Sequence, residues 1–110
     1  MYEYRAIIMR IVDGDTFWAK VDLGFNLSAQ LDFRILGIDA PECVGVNRTA
    51  GLASAAILAQ LMPIGSTCLI RTAKGDSFGR WLAEIILEDG RDVAQEMIHA
   101  GAATIYRRRL

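Results

Sequence analysis

The sequence predicts a mostly β chain of the α+β class, folded as a five-stranded barrel of OB type packed with two helices. Three observations predict it. From Leu27 to Ile35 apolar and polar residues alternate strictly; from Thr49 to Met62 the apolar residues fall at helical spacing; and the elements run as three strands, a helix, two strands and a helix. At 110 residues the chain is long enough to close one core and too short for two, so residues 1–110 are read as a single domain. A hydrophobic share of 53% is too high for a disordered chain, and the 23% of charged residues interrupt it too evenly for a membrane span.

The first strand is expected from Tyr2 to Ile11, running into Asp13-Gly14, a dipeptide of the kind that closes hairpins. Thr16 to Asp22 is the second, with Phe17, Ala19 and Val21 on one face, and Leu23 to Asn26 is the turn after it. In the third strand Leu27, Ala29, Leu31, Phe33 and Ile35 take the core side, while Ser28, Gln30, Asp32 and Arg34 take the polar side. A helix is expected over Thr49 to Met62, with Thr49 as its cap, Leu52, Ala56, Ala59 and Met62 as its packing face, and Pro63 and Gly65 closing it. Thr67 to Arg71 and Trp81 to Leu87 are the remaining strands, separated by the polar loop Ala73 to Gly79. Beyond the turn Glu88-Asp89-Gly90, Asp92 caps a second helix whose Val93, Ala94, Met97 and Ile98 form one apolar face, and Gly101 takes the position after its end.

A net charge of -1 and a pI near 5.7 do not supply the usual basic footprint of a nucleic-acid binder, so local clustering has to compensate. The one basic run, Arg107-Arg108-Arg109, fits a solvated tail and a phosphate contact equally well. Met1-Tyr2-Glu3-Tyr4-Arg5 lacks the basic start and apolar stretch of a secretory signal, which predicts a cytoplasmic protein unless a leader has been trimmed, with no membrane association. Cys43 and Cys68 are expected to be reduced and buried rather than paired.

The chemistry-bearing candidates are acidic residues at chain reversals and two arginines. Asp13 and Asp15 sit at a tight turn, and Asp39 and Glu42 lie in Ile38-Asp39-Ala40-Pro41-Glu42 directly after the most regular strand. Carboxylates so placed can converge at a barrel mouth, where oxygen-only ligation suits a hard cation. Taken singly, each of these stretches is equally a turn or a helix start. Arg34 and Arg80 answer a different need: attack on a phosphodiester builds negative charge on the phosphorus oxygens, which a planar guanidinium binds through two hydrogen bonds at once. Either alone also fits a solvated surface group. His99 near a helix end is read as a dipole partner, and Trp18 and Trp81 on strands are read as packing residues, with base stacking as the alternative.

Three spaced stretches together are more specific. Ile11-Val12-Asp13-Gly14-Asp15-Thr16-Phe17, Phe33-Arg34-Ile35-Leu36-Gly37-Ile38-Asp39-Ala40-Pro41-Glu42 and Phe78-Gly79-Arg80-Trp81-Leu82-Ala83 resemble, in order, the signature stretches of the staphylococcal nuclease (thermonuclease) family, and Asp92 to Ala103 resembles its following helix. The compact form is similar to phage-encoded or bacterial intracellular members. The resemblance implies an OB-fold barrel and a calcium-dependent nuclease acting on DNA and RNA and leaving 3′-phosphate ends. Asp15 and Asp39 correspond to metal ligands, Ala40 to a residue giving its backbone carbonyl, Glu42 to the glutamate that activates water, and Arg34 and Arg80 to the pair that grips the phosphate. One Ca²⁺ ion is implied, with Mg²⁺ or Mn²⁺ as alternatives. Where secreted members have tyrosines that touch substrate, this chain offers Phe78, Tyr106 and Arg107. The competing implication is a catalytically inactive module that binds nucleic acid or protein, as some members of the family are.

Overall fold

The computed structural model describes residues 2–72 and 80–106. In chain order its elements are β1 (Tyr2–Asp13), β2 (Thr16–Gly24), β3 (Leu27–Ile35), β4 (Ile38–Asp39), a 3-10 turn (Gly45–Asn47), α1 (Arg48–Leu61), β5 (Thr67–Thr72), β6 (Trp81–Leu87), α2 (Val93–His99) and β7 (Thr104–Ile105). The long strands close a barrel in the order β1-β2-β3-β6-β5, as expected for the OB type. Every seam is antiparallel except β3 with β6, which run parallel with Phe33 opposite Trp81 and Arg34 opposite Leu82. The two-residue strands β4 and β7 pair with each other outside the barrel.

Alternation explains which side chains fill the barrel. Ile8, Phe17, Ala19, Val21, Phe33, Ile35, Ile70 and Ile85 are buried, and the rings of Phe17 and Phe33 stack with centroids 5.6 Å apart. Their outward neighbours Trp18, Lys20 and Gln30 remain exposed. The turn between β2 and β3 holds Phe25 and Asn26 at φ 56° and 61°, the paired left-handed conformation of a two-residue hairpin whose twist matches its strands.

Three expectations are corrected here. Thr49 does not cap α1: the helix starts at Arg48, because the 3-10 turn runs straight into it and the Gly45 carbonyl takes the Arg48 N–H. That backbone carbonyl satisfies one of the N–H groups that the start of a helix leaves unpaired. The buried face of α1 is Gly51, Ser54 and Leu58, with Met62 just beyond, whereas Leu52 is half exposed and Ala56 faces outward. Small residues decide this face by letting the helix approach two loops closely, which apolarity alone does not reveal. Cys43 is only half-buried, while Cys68 is buried as expected; both are free thiols. The second helix follows expectation. Asp92 accepts a hydrogen bond from the Ala94 N–H at 2.9 Å, and at the far end the N–H groups of Gly101 and Ala102 reach back to the carbonyls of Ile98 and Met97 at 3.0 Å. The loop Ala73 to Gly79 lies outside the described residues.

Burial, and secondarily the charge of Glu88, push the Cys68 thiol from 9.0 up to about 11. Between these values the folded chain holds a proton that the unfolded chain has lost, so stability is complete below pH 9 and falls as pH rises through 11. At 1.36 kcal/mol per unit the loss reaches roughly 2–3 kcal/mol. Urea unfolding at pH 8 and pH 10.5 should therefore show a steeper decline for the wild type than for Cys68→Ala. Equal declines would contradict this assignment.

Candidate active site on the outer wall of the barrel

The site begins at the β1–β2 hairpin. Asp13 pairs with Thr16, leaving Gly14 and Asp15 as the turn, and the Asp13 carboxylate accepts the Asp15 N–H at 3.2 Å. Gly14 is required here by space: a Cβ on it would stand 1.9 Å from the Ser54 hydroxyl of α1 and 2.8 Å from the Ala40 methyl. The hairpin is thus pressed between α1 and the segment after β4. Burial first, then the hydrogen bond and charge of Asp15, push the Asp13 carboxyl up to about 6.

Asp15 is 3% exposed, and its partners account for that burial of a charge. One carboxylate oxygen accepts the Thr16 hydroxyl at 3.0 Å, and the other accepts the Ala40 N–H at 2.9 Å and lies 3.3 Å from the Arg34 guanidinium. The second nitrogen of the Arg34 fork donates to Asp39 at 3.1 Å and to the Ile38 carbonyl at 3.2 Å. Two carboxylates, one from the β1–β2 turn and one from β4, are therefore gathered on one arginine. Burial works against the charge of Arg34, but Asp15 and then Asp39 outweigh it and hold the guanidinium above its ordinary range. Tyr106 lies over the same group, its ring centroid 5.4 Å away.

Arg80 joins through a residue that the sequence reading did not single out. Its guanidinium donates to the Thr16 hydroxyl at 3.0 Å, and that hydroxyl donates onward to Asp15. Thr16 is 5% exposed and stands directly opposite Arg34 in the β2–β3 register, so the threonine joins Arg80 to the carboxylate that Arg34 meets directly. The β4–β7 pair performs the other placement. Asp39 opposite Thr104 and Ile38 opposite Ile105 fix the acid on one strand and bring Tyr106 beside Arg34 from the other.

Glu42 is exposed and lies with Asp39, Ala40, Asn47 and residues 101–104 around an open cleft of about 590 Å³. It makes no ion pair among the described residues. Its backbone rests on α1 at Gly51, where a Cβ would fall 2.1 Å from the Glu42 carbonyl oxygen and 2.7 Å from the Cys43 nitrogen. Backbone cannot yield as a flexible side chain can. Gly51→Ala should therefore displace Glu42, lowering turnover at least tenfold and stability by about 1–3 kcal/mol. Wild-type turnover with an unchanged urea midpoint would contradict that placement.

The structure thus brings together Asp15, Arg34, Asp39, Ala40 and Tyr106, attaches Arg80 through Thr16, and sets Glu42 on the adjoining rim. Phe78 and Arg107 lie outside the described residues. Among the described residues no three His, Cys, Asp or Glu side chains gather as a metal cluster. The acidic oxygens near Arg34 are those of Asp15 and Asp39.

A closed OB-type barrel with acids and arginines interlocked on its outer wall is the class that fold and site define. Residues 32–110 match the family described as staphylococcal nuclease homologue, and the chain belongs to that family. The matched span includes Arg34, Asp39, Ala40, Glu42, Arg80 and Tyr106, with Asp15 before it. The chain is 30% identical over 99 residues to proteins named uncharacterized endonuclease from Escherichia coli O157:H7 and from Escherichia coli, covering 90% of this chain and 59% of each relative. It is also 27% identical over 114 residues to endonuclease YhcR of Bacillus subtilis strain 168, covering 94% of this chain and 9% of that protein. The chain therefore spans about three fifths of the length of the Escherichia coli relatives. No helix among the described residues is long and apolar enough to cross a membrane.

Proposed function

We propose that the chain is a hydrolytic nuclease domain that cuts phosphodiester bonds of DNA and RNA in a calcium-dependent reaction. The observation that carries the reading is the network in which Arg34 and Arg80 both converge on Asp15, directly and through Thr16, on the outer wall of the barrel. Two guanidiniums so placed offer planar, permanently charged donors to a phosphate resting across β3.

A hard cation fits the donor set. Asp15, Asp39 and the Ala40 carbonyl are all oxygen donors, and the two carboxylates already approach a common point at Arg34. Ca²⁺ accepts about six to eight oxygens in adaptable geometry, so so small a protein contribution leaves places for water and phosphate oxygens. Mg²⁺ or Mn²⁺ would use the same donors under stricter geometry. When bound, the ion adds positive charge against the phosphoryl oxygens.

The chain's own residues do the rest. Arg34 and Arg80 bind two phosphate oxygens and oppose the charge that develops as water attacks phosphorus. Glu42, exposed on the rim, takes the proton of the attacking water. Thr16 keeps Arg80 oriented, and Tyr106 holds the Arg34 plane. Water bonds to phosphorus as the P–O5′ bond breaks, and O5′ takes a proton to leave as the 5′-hydroxyl of the downstream sugar, giving a 3′-phosphate end with no covalent intermediate. Cleaving a 5′-labelled oligonucleotide with Ca²⁺, Mg²⁺ or Mn²⁺ and testing the new ends with a 3′-phosphatase checks this reading. Fragments resistant to the phosphatase would overturn the regiochemistry.

A further inference from the structure

The outer wall of the barrel continues past the arginine site. Beside the row that sets Thr16 opposite Arg34, the next row sets Arg10 of β1, Trp18 of β2 and Asp32 of β3 side by side, and the row beyond pairs Ile7, Lys20 and Gln30. All of these side chains leave the core-facing side to Ile8, Phe17, Ala19 and Phe33. The register irregularity between Ile8 and Arg10 turns Arg10 outward next to the indole. Trp18 is 38% exposed, a large ring on a wall where a packing residue would be covered.

We propose that this wall is a track for single-stranded nucleic acid, with Trp18 stacking the base next to the phosphate held by Arg34 and Arg80, and with Arg10 and Lys20 contacting flanking phosphates. The proposal rests on the nuclease reading and names its substrate form. Trp18 and Arg34 are diagonal neighbours across β2 and β3, roughly 7–8 Å apart along the backbone, a distance that a base beside the held phosphate spans. Arg10 stands beside the indole and Lys20 one row on, so a chain of net charge -1 still offers two cations along this strip, while the charge of Arg34 is already met by Asp15 and Asp39. Asp32 is the acid within the strip, and it tempers the grip on a product that must leave. The occupant is single-stranded because a duplex base keeps both faces against its neighbours, whereas an unpaired base can lay one face on an indole.

The test is binding of a fluorescent single-stranded oligonucleotide in chelator, with turnover measured separately in Ca²⁺, for wild type, Trp18→Ala, Trp18→Phe and the Arg10→Ala/Lys20→Ala pair. Trp18→Ala should weaken binding roughly 5- to 150-fold, the worth of one aromatic–base stack, and Trp18→Phe should restore most of it. An oligonucleotide abasic at the stacked position should bind wild type as weakly as the normal strand binds Trp18→Ala, and should bind Trp18→Ala no worse than the normal strand does. The loss should appear in KM with kcat within about threefold, and the paired cation variant should reduce the slope of log affinity against log salt by about 1.4. Cleavage by wild type with Trp18→Ala equal to it in affinity and KM, or with abasic strands bound normally, overturns the track alone. A wild-type protein that neither binds nor cuts the strand overturns the nuclease reading with it.

Discussion

Arg80→Ala is expected to lose about 10³–10⁵ of turnover while keeping the barrel folded. Arg80 stands just before β6, and its guanidinium reaches across β3 to the Thr16 hydroxyl, so the side chain is already oriented for the phosphate contact proposed for it. Removing it leaves Thr16 its own bond to Asp15, which limits the structural damage. Arg80→Lys retains the charge but not the planar fork, and should recover only a minor part of the loss. Arg34→Ala should cost as much activity and, unlike Arg80→Ala, should also cost about 3 kcal/mol of stability, because Asp15 would stay buried without its ion pair. Single-turnover kinetics and urea unfolding of the three variants check this. An Arg80→Ala protein with wild-type turnover would remove that residue from the chemistry.

Glu42→Gln is the second large effect, expected to lower turnover by about 10²–10⁴, the usual worth of a general base. The substitution keeps the shape of the side chain while removing its negative charge and its capacity to take a proton. Because Glu42 is exposed and outside the Asp15–Arg34 network, the variant should unfold at the wild-type urea concentration and bind single-stranded DNA as wild type does. The loss should fall on kcat, since a general base, the role proposed for Glu42, acts in the transition state rather than in holding substrate. A Glu42→Gln enzyme with unchanged kcat would assign the proton to another acceptor.

Much of the fold was legible because alternation and turn chemistry are local. β3 and β6 have the expected bounds, and Asp92 and Gly101 cap α2 through the bonds that their residue types favour. The helix face of α1 was not legible from apolarity, because Gly51 and Ser54 are buried for their smallness, against a backbone and a hairpin far away in sequence. The site shows the same division. Asp15, Arg34, Asp39, Ala40, Glu42 and Arg80 were marked by their stretches, yet the linking role of Thr16 needs the register of β2 against β3 and the reach of Arg80 over 64 residues. The β4–β7 pair was invisible, since two-residue strands carry no period; it nonetheless determines where Asp39 and Tyr106 stand. Trp18 looked like a packing residue until its outward register next to Arg10 and Asp32 was known.

The most direct test of the central claim is incubation of the purified chain with labelled single-stranded DNA in Ca²⁺ and, in parallel, in excess chelator, with strand length and bound fraction both recorded. Shortening of the strand in Ca²⁺ and none in chelator is the predicted result. Intact DNA in Ca²⁺, Mg²⁺ and Mn²⁺ alike, with the strand still bound, would contradict catalysis and identify the barrel as a nucleic-acid binding module.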